Sequence, residues 1–501
     1  MKSWLFALLL FVAALLLFTR QQGFPWFYHP DEPGKVEQVI TGQWNFHHPM
    51  LMLQTAKLAA GSKAVAGNEQ AVVETGRTVS AVFAAMAVAL LSVAAWRVAG
   101  SVAGVFTGLL LLTHHQLFEL AHYFKEDTSL LVGVAAVLCA LAGYRRKNGE
   151  ERECSVLPAL WIGAACGLAV SGKYLGAVLL IPAAVVVWGS RAGRWKRFGM
   201  LLASFVAVLL FVNAPMLLDG TTFRNSFERE VEFVVKGQKG MTQRVPHTEY
   251  LSAFRDNSTP MLWLGLAWAI VAFWKRRLPR SAVMWVLLLF PFVFTLALSF
   301  SPKTNDRYFL PATAGFTLLA GIGLAQIQNR TGRYTAISLA VAAQCVSLPD
   351  PLDWKNLLGY YAAFRHDDRA DLRAWVGENI PPDGIIVQDS RAGLPVTGRE
   401  RDAVRQKPLP QTVFGKKFAA EVGTLEELRE KGVACIVVSE SDYGRYFRSR
   451  LKPKQGYEDE FTRHRNFYER LFKEGEKVWS RPRGIVIYLH PGIEVYRLKK
   501  P

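Results

Sequence analysis

Residues 79–96, with the sequence VSAVFAAMAVALLSVAAW, form an apolar stretch that decides the class of fold. A run of this composition and length can cross the hydrocarbon core of a bilayer as one helix. Another apolar run follows at 102–112. The 501 residues are 51% hydrophobic and 12% aromatic, which is more than one soluble core requires. We therefore predict an α-helical polytopic membrane protein.

Similar apolar runs recur through the first 348 residues and predict about eleven transmembrane helices. Several are shorter than the usual span, which predicts tilted or partly extended helices. The first run is interpreted as a retained anchor, because no small-x-small cleavage site follows it. The runs are 4–18, 79–96, 102–112, 130–144, 156–170, 174–188, 198–218, 261–274, 282–300, 308–327 and 334–348.

Basic residues alternate along the chain and predict its orientation. With the N-terminus in the cytoplasm, five basic clusters fall on the cytoplasmic side. The formal net charge of +18 is therefore attributed to topology and lipid headgroups, and the sequence carries no nucleic-acid-binding motif. The clusters contain Arg97; residues 145–147; Arg191, Arg194, Lys196 and Arg197; Lys275, Arg276, Arg277 and Arg280; and Arg330 and Arg333.

The composition changes after Leu348, where prolines and charges become frequent. We predict two domains, a transmembrane domain at 1–348 and a soluble α/β domain at 349–501. An odd number of spans places the second domain outside the cytoplasm. Its predicted elements are helices at 369–379 and 425–431, strands at 385–387 and 434–438, and a closing hairpin formed by 484–489 and 493–498.

Two adjacent carboxylate pairs fall in predicted outward loops. Asp31-Glu32 follows the first span, and Glu126-Asp127 begins a later one. The simplest interpretation is helix N-capping, which accounts for one carboxylate of each pair. Two charges near the bilayer are costly unless a cation, a substrate or a metal is present.

The other outward turns are basic. Lys173 joins two spans, and Lys303 and Arg307 precede another. Each cation alone could extend to lipid headgroups. Together, carboxylates and cations on one face favour chemistry on a phosphate-bearing substrate at the membrane surface. The loop at 219–257 contains a predicted amphipathic helix that either gates lipid entry or rests on the helical bundle.

These residues also carry a family resemblance. Asp31-Glu32, His47-His48-Pro49, Glu126-Asp127 and the turn Arg307-Tyr308-Phe309-Leu310-Pro311 resemble the C-type membrane glycosyltransferases. Within them, the chain is similar to the family of dolichyl-phosphate-mannose protein mannosyltransferases and bacterial lipid A aminoarabinose transferases. The chain lacks the β-rich lumenal insertion of the eukaryotic protein mannosyltransferases, which makes protein O-mannosylation less favoured.

The resemblance implies sugar transfer from a polyprenyl-phosphate donor, with inversion, to a glycolipid, glycan or protein acceptor on the outer face. It implies that Asp31, with Glu32 beside it, is the general base. A leaving lipid phosphate needs cations, and Lys303 and Arg307 are the first candidates. Lys173 and His48 come next. Glu126 and Asp127 would either orient the acceptor or hold a divalent cation.

Two other classes of protein share part of this pattern. A transporter or lipid flippase would also be polytopic, but should carry ionisable residues in mid-span or repeated halves. A non-catalytic envelope assembly factor would use the outer domain, with the loop carboxylates as caps only. We predict a multi-pass protein of a prokaryotic plasma (inner) membrane.

Overall fold

The computed structural model describes residues 3–25, 29–144, 156–189, 193–237, 242–243, 245–346, 355–396, 411–449 and 451–498. Contacts divide the chain into two compact units. The first comprises Met1–Gln22, Gly34–Gln238 and Pro246–Leu358, and the second comprises Gly23–Pro33, Lys239–Val245 and Gly359–Pro501. The basic cluster at 145–147, Arg191 and the predicted domain boundary at 348 lie outside the described residues.

Helices make up most of the chain up to Leu358. They are α1 (Ser3–Phe18), α2 (Glu32–Thr41), α3 (Leu51–Ala60), α4 (Ser62–Val65), α5 (Glu69–Ala99), α6 (Ser101–Leu112), α7 (His115–Ala121), α8 (Asp127–Gly143), α9 (Leu157–Gly172), α10 (Leu180–Trp188), α11 (Arg194–Val212), α12 (Ala214–Leu218), α13 (Gly220–Lys236), α14 (Pro246–Asp256), α15 (Pro260–Trp274), α16 (Ala282–Ser299), α17 (Leu310–Ala325) and α18 (Arg330–Cys345). Short 3₁₀ turns, Tyr174–Leu179 and Asp306–Phe309, precede α10 and α17.

Each predicted apolar run overlaps helix where it is described, although the run at 198–218 is interrupted at Asn213 and residues 347–348 of the last run lie outside the described residues. Among the described residues, four helical stretches are long and apolar enough to cross a membrane, namely α5, α11, α16 and Asp306–Ala325. A fifth arises if α6 and α7, which meet at a 58° bend, form one broken span. The shorter apolar helices are Ser3–Phe18, Asp127–Gly143, Leu157–Gly172, Tyr174–Trp188 and Pro260–Trp274. The count of eleven spans stays a prediction.

Small residues allow the helices of the bundle to approach closely, as in many membrane proteins. A Cβ atom on Gly133 of α8 would lie 2.3 Å from the Ala169 Cα of α9. A Cβ atom on Gly323 of α17 would lie 1.9 Å from the Gly265 carbonyl oxygen of α15. The first of these contacts lies near the start of α8 and the end of α9, next to charged residues of the candidate site.

The second unit contains a five-stranded sheet with strand order β3-β2-β4-β7-β6. Strand β2 is parallel to β3 and β4, whereas β7 is antiparallel to β4 and β6. A separate antiparallel pair joins β1 to β5. The elements are α19 (Leu357–Ala363), α20 (Asp368–Asn379), α21 (Leu425–Glu430), α22 (Glu440–Tyr443), α23 (Glu458–Glu474), β1 (Thr242–Gln243), β2 (Ile385–Asp389), β3 (Thr412–Lys416), β4 (Val433–Ser439), β5 (Lys452–Pro453), β6 (Gly475–Arg483) and β7 (Pro491–Leu498).

Alternation along β4 gives the sheet two buried faces. Ile436 and Val438 pack with residues of α21 and α23 on one face. Cys435 and Val437 pack with residues of α20 on the other. The sequence prediction of a small α/β arrangement agrees with these layers, and five of its elements correspond to α20, β2, α21, β4 and β7.

The predicted closing hairpin is wrong in its first strand. Residues 484–489 form a turn, in which the His490 N–H donates to the Val486 carbonyl at 2.8 Å. Val486 and Leu489 are buried there, which explains an apolar run without a strand. The true partner of β7 is β6, an edge strand whose mostly exposed polar residues give no alternating signal.

Candidate active site

The first predicted carboxylate pair lies at the start of α2. Asp31 is half-buried and Glu32 is fully buried. The Asp31 N–H donates to His29 Nδ1 at 3.2 Å, and the Glu32 N–H donates to the His29 carbonyl at 3.0 Å. His29 thereby shapes the turn that presents both carboxylates. These residues belong to the second unit.

The remaining predicted residues lie in the first unit, where Glu126 is the centre of one group. Glu126 is 1% exposed and forms a buried salt bridge with Lys35, one helical turn after Glu32 on α2. His48 Nε2 lies 3.9 Å from Glu126 Oε2. Glu126 occupies the N-cap position of α8 but makes no side-chain capping hydrogen bond. Capping therefore does not explain this carboxylate.

Asp127 is the centre of a second group. It is 2% exposed and forms a buried salt bridge with Lys173, which follows α9. Arg307 Nε lies 3.9 Å from the other oxygen, Asp127 Oδ2. Three predicted residues from three separate turns thus meet at the start of α8.

Lys303 joins the cluster through the ring of Tyr308. Lys173 Nζ lies 4.9 Å from the ring centroid and Lys303 Nζ lies 5.9 Å from it. Both distances are within the range of cation–π attraction. Lys303 also forms a salt bridge with Glu230 of α13, and both side chains are largely buried.

The cations of the cluster act together on the pKa of His48. Burial lowers its pKa well below the ordinary value, and Lys35, Lys173, Lys303 and Arg307 lower it further. The lowered pKa favours the neutral imidazole of His48 at pH 7. The same excess of positive charge acts on Lys125, whose pKa is lowered by burial and then by Arg307.

Two carboxylate oxygens remain available for a ligand. Among the described residues, Glu126 Oε2 and Asp127 Oδ2 are buried without a hydrogen-bond partner. Buried oxygens of this kind are uncommon because desolvation without a partner is costly. Each faces a basic group at 3.9 Å.

Local packing explains why the turns meet. A Cβ atom on Gly172 would lie 2.6 Å from the Leu130 nitrogen, so glycine lets the end of α9 reach the start of α8. Asn213 then links two turns, because its amide nitrogen donates to Ser171 Oγ at 2.8 Å and its oxygen accepts from the Met50 N–H at 2.9 Å. These contacts place Lys173 and the His48 loop against the carboxylates.

Sequence reasoning missed three members of the cluster. Lys35 follows Asp31 by four residues, a helical spacing that could have indicated it. Glu230 lies on the predicted amphipathic helix, but nothing in the sequence indicated its partner. Tyr308 was noted only within the Arg-Tyr-x-x-Pro turn.

Metal-ligating geometry occurs elsewhere in the described part of the chain. Two groups have carboxylate and imidazole atoms within 4.8 Å of one another, and both lie in the second unit. They are His366 with Asp368 and Asp371, and Glu421 with Glu460 and His464.

Comparisons with known proteins agree with the resemblance noted in the sequence. Residues 47–217 match the family described as dolichyl-phosphate-mannose-protein mannosyltransferase. This segment includes His48, Glu126, Asp127 and Lys173. None of the curated proteins compared with the chain matches it.

Several solved structures are similar. ArnT from Cupriavidus metallidurans bound to undecaprenyl phosphate has a TM-score of 0.52 at 16% identity, covering 97% of both chains. The Archaeoglobus fulgidus oligosaccharyltransferase in complex with Zn and sulfate scores 0.49 at 13% identity, covering 87% of this chain and 69% of that one. The S. cerevisiae protein O-mannosyltransferase Pmt1-Pmt2 complex scores 0.38 at 16% identity, covering 44% and 34%. The family match over residues 47–217 and the fold shared with ArnT confirm the predicted resemblance to the C-type membrane glycosyltransferases.

Proposed function

We propose that this protein transfers a sugar from a polyprenyl-phosphate donor to an acceptor on the outer face of the plasma membrane. The reaction is a single displacement that inverts the anomeric carbon. The observation that carries this proposal is the buried cluster at the start of α8, in which basic side chains from α2, the His48 loop, the turn after α9 and the turn before α17 surround two carboxylates. Burying so many charges is costly unless a ligand uses them.

The ligand that best fits the cluster is a phosphate ester. Lys35, Lys173, Lys303 and Arg307 lie close enough to act jointly on His48. A sugar phosphodiester carries one negative charge, and the departing lipid phosphate carries a second. Preorganised cations stabilise this developing charge and therefore lower the barrier of the displacement.

Asp31 is proposed as the general base, as the family resemblance implies. The acceptor hydroxyl must lose a proton as it attacks, and a carboxylate within hydrogen-bond reach can take it. Glu32 lies beside it at the start of α2.

Glu126 and Asp127 are proposed to bind hydroxyl groups through their unpartnered oxygens. A divalent cation at the same position is less favoured, because Lys35, Lys173 and Arg307 already supply positive charge there. Like charges so close together would repel a metal ion.

The proposed orientation is supported by the two ends of α16. Its 18 residues rise about 27 Å at 1.5 Å per residue, close to the thickness of a bilayer core. The basic turn with Arg276 and Arg277 precedes this helix, and Lys303 follows it. If the basic turn is cytoplasmic by the positive-inside rule, the cluster is extracytoplasmic. ArnT was solved with undecaprenyl phosphate, which makes a lipid phosphate the natural donor to propose here.

Comparative mass spectrometry of the cell envelope tests this function. Glycolipids, glycans and glycoproteins would be compared between cells with the gene, cells without it and complemented cells. We expect one sugar increment to disappear on deletion and to return on complementation. Identical envelope profiles in all three would contradict the proposal.

A further inference from the structure

We propose that Glu421, Glu460 and His464 form a binding site for one divalent transition-metal ion, of the Zn²⁺ class, in the second unit. The site is separate from the proposed transferase chemistry and does not depend on it. It joins α23 to the 3₁₀ turn Ala419–Glu421 that follows β3.

His464 is the residue that points most directly to a ligand. Its side chain is 0% exposed, and its Nδ1 atom is hydrogen-bonded to the Tyr446 hydroxyl at 2.9 Å. Its Nε2 atom is buried and has no hydrogen-bond partner within the described ranges. Metal-ligating histidines commonly have this arrangement, because a bond to the second nitrogen fixes the tautomer and the ring orientation.

The carboxylates of Glu421 and Glu460 lie where the remaining metal ligands are expected. Glu460 precedes His464 by four residues on α23, so both side chains lie on the same face of the helix. Glu421 approaches from the turn, whose Ala419 N–H donates to the buried Asp389 Oδ1 at 2.6 Å. One ligand atom from each residue lies within 4.8 Å of the other two.

Two carboxylate groups and the unpartnered His464 nitrogen come together at this position. A metal ion would relieve the repulsion between the two carboxylates and would supply a partner for the buried His464 Nε2 atom.

The mixed ligand set selects the class of metal. One imidazole nitrogen and two carboxylate oxygens suit Zn²⁺, which binds three protein ligands and leaves a position for water. Ca²⁺ and Mg²⁺ prefer oxygen ligands and would gain little from His464.

The other imidazole–carboxylate group lacks this signature. Asp371 already accepts from His366 at 2.9 Å and from Arg481 at 3.0 Å. Asp368 Oδ2 lies 2.9 Å from His490 Nδ1. The carboxylates of this group already have partners within the protein, so the group serves as the comparison site.

The test measures Zn²⁺ binding by the full-length protein in detergent after treatment with a chelator. Stoichiometry and affinity would be obtained by competition with a fluorescent zinc chelator, and the melting temperature by intrinsic fluorescence. The variants are Glu460→Gln and Glu421→Gln at the site. The controls are Glu458→Gln, an exposed acid on the same helix, and Asp371→Asn in the comparison site.

We expect the wild-type protein to bind Zn²⁺ and to melt at a higher temperature with it. Each site variant should lose one equivalent, or weaken it by more than about 100-fold, because losing even an outer-shell partner typically costs 10- to 100-fold. Both controls should retain that equivalent. Unchanged binding in both site variants would overturn the proposal, as would loss in Asp371→Asn alone. Ca²⁺ binding as tight as Zn²⁺ would overturn the role of His464. The melting temperatures of the chelated variants show whether either substitution disturbs folding, and the two site variants provide independent tests.

Discussion

Arg307 illustrates how the cluster is built at the level of one side chain. Its Nε atom lies 3.9 Å from Asp127 Oδ2, and its guanidinium carbon lies 5.6 Å from the Tyr308 ring. A planar guanidinium can donate hydrogen bonds to two phosphate oxygens at once, whereas an ammonium acts as a point charge. Its geometry therefore matters as well as its charge.

We predict that Arg307→Ala and Arg307→Lys both weaken donor binding and slow sugar transfer. The alanine variant should lose more affinity and rate than the lysine variant, since it lacks the positive charge as well as the planar guanidinium. Arg277→Lys, on an exposed turn at the other end of α16, is the matched control and should have no effect. Donor affinity and transfer rate would be measured in nanodiscs. Near-normal values for Arg307→Ala would exclude Arg307 from the phosphate site.

The salt bridge between Lys35 and Glu126 gives a second residue-level prediction. Both side chains are buried, so Lys35→Met should destabilise the protein by about 3–5 kcal/mol, because it leaves an unpaired buried carboxylate. Adding Glu126→Gln should restore most of the stability but not the activity. Thermal unfolding and transfer assays would distinguish the two effects.

Lys63→Met, on an exposed helix turn, controls for the loss of a surface charge. If the double variant regained activity, Lys35 would have a structural role only.

At the level of elements, α13 is placed over the cluster by aromatic and ionic contacts. Its Phe227 ring lies 5.3 Å from Tyr174, its Phe223 ring lies 6.5 Å from Phe46, and its Glu230 pairs with Lys303. The helix keeps exposed apolar residues, including Val231 and Val235. This arrangement suits a helix that lies in the membrane interface.

We predict that Glu230→Gln tightens donor binding several-fold. In the present structure Glu230 neutralises Lys303, so a donor phosphate must compete with a carboxylate for the same cation. Glu228→Gln is the control, because Glu228 is exposed and pairs with Arg224 within the same helix. Binding of undecaprenyl phosphate would be measured for both. Weaker binding by Glu230→Gln would show that the carboxylate positions Lys303 instead of competing for it.

The elements also show what a sequence can and cannot predict. The apolar runs predicted helices well, because backbone groups in a bilayer must be satisfied within the helix. The helix α7, which meets α6 at a 58° bend, was missed because the predicted apolar run ended at Leu112 and α7 contains polar residues such as Gln116 and Glu119. The strand β6 was missed because an exposed edge strand needs no apolar face. At the site, the sequence indicated the charged residues, but their pairing depends on close helix packing at positions such as Gly172.

At the scale of the whole molecule, the proposal requires one orientation in the membrane. The basic turn before α16 should face the cytoplasm, and both the cluster and the second unit should lie outside. Each of these regions offers an exposed position for labelling, namely Arg277, Asp306 and Lys431.

We predict that single cysteines at these positions react differently with a membrane-impermeant reagent. In a cysteine-free background, Asp306→Cys and Lys431→Cys should be labelled in intact spheroplasts. Arg277→Cys should be labelled only after permeabilisation. The reverse pattern would place the cluster in the cytoplasm and contradict the use of an outward-facing lipid donor.

The central claim is that Asp31 accepts the proton of the attacking hydroxyl in a sugar transfer reaction. Replacing it with Asn keeps its shape but removes the base, which typically costs about 10²- to 10⁴-fold in rate. Glu37→Gln, at an exposed position on α2, is the matched control.

The most direct measurement is mass spectrometry of envelope glycolipids, glycans and glycoproteins from a deletion strain complemented with wild type, Asp31→Asn or Glu37→Gln at equal membrane levels. We predict that wild type and Glu37→Gln restore the missing sugar increment, and that Asp31→Asn leaves it absent while the polyprenyl-phosphate sugar accumulates. Full restoration of the increment by Asp31→Asn would contradict the account.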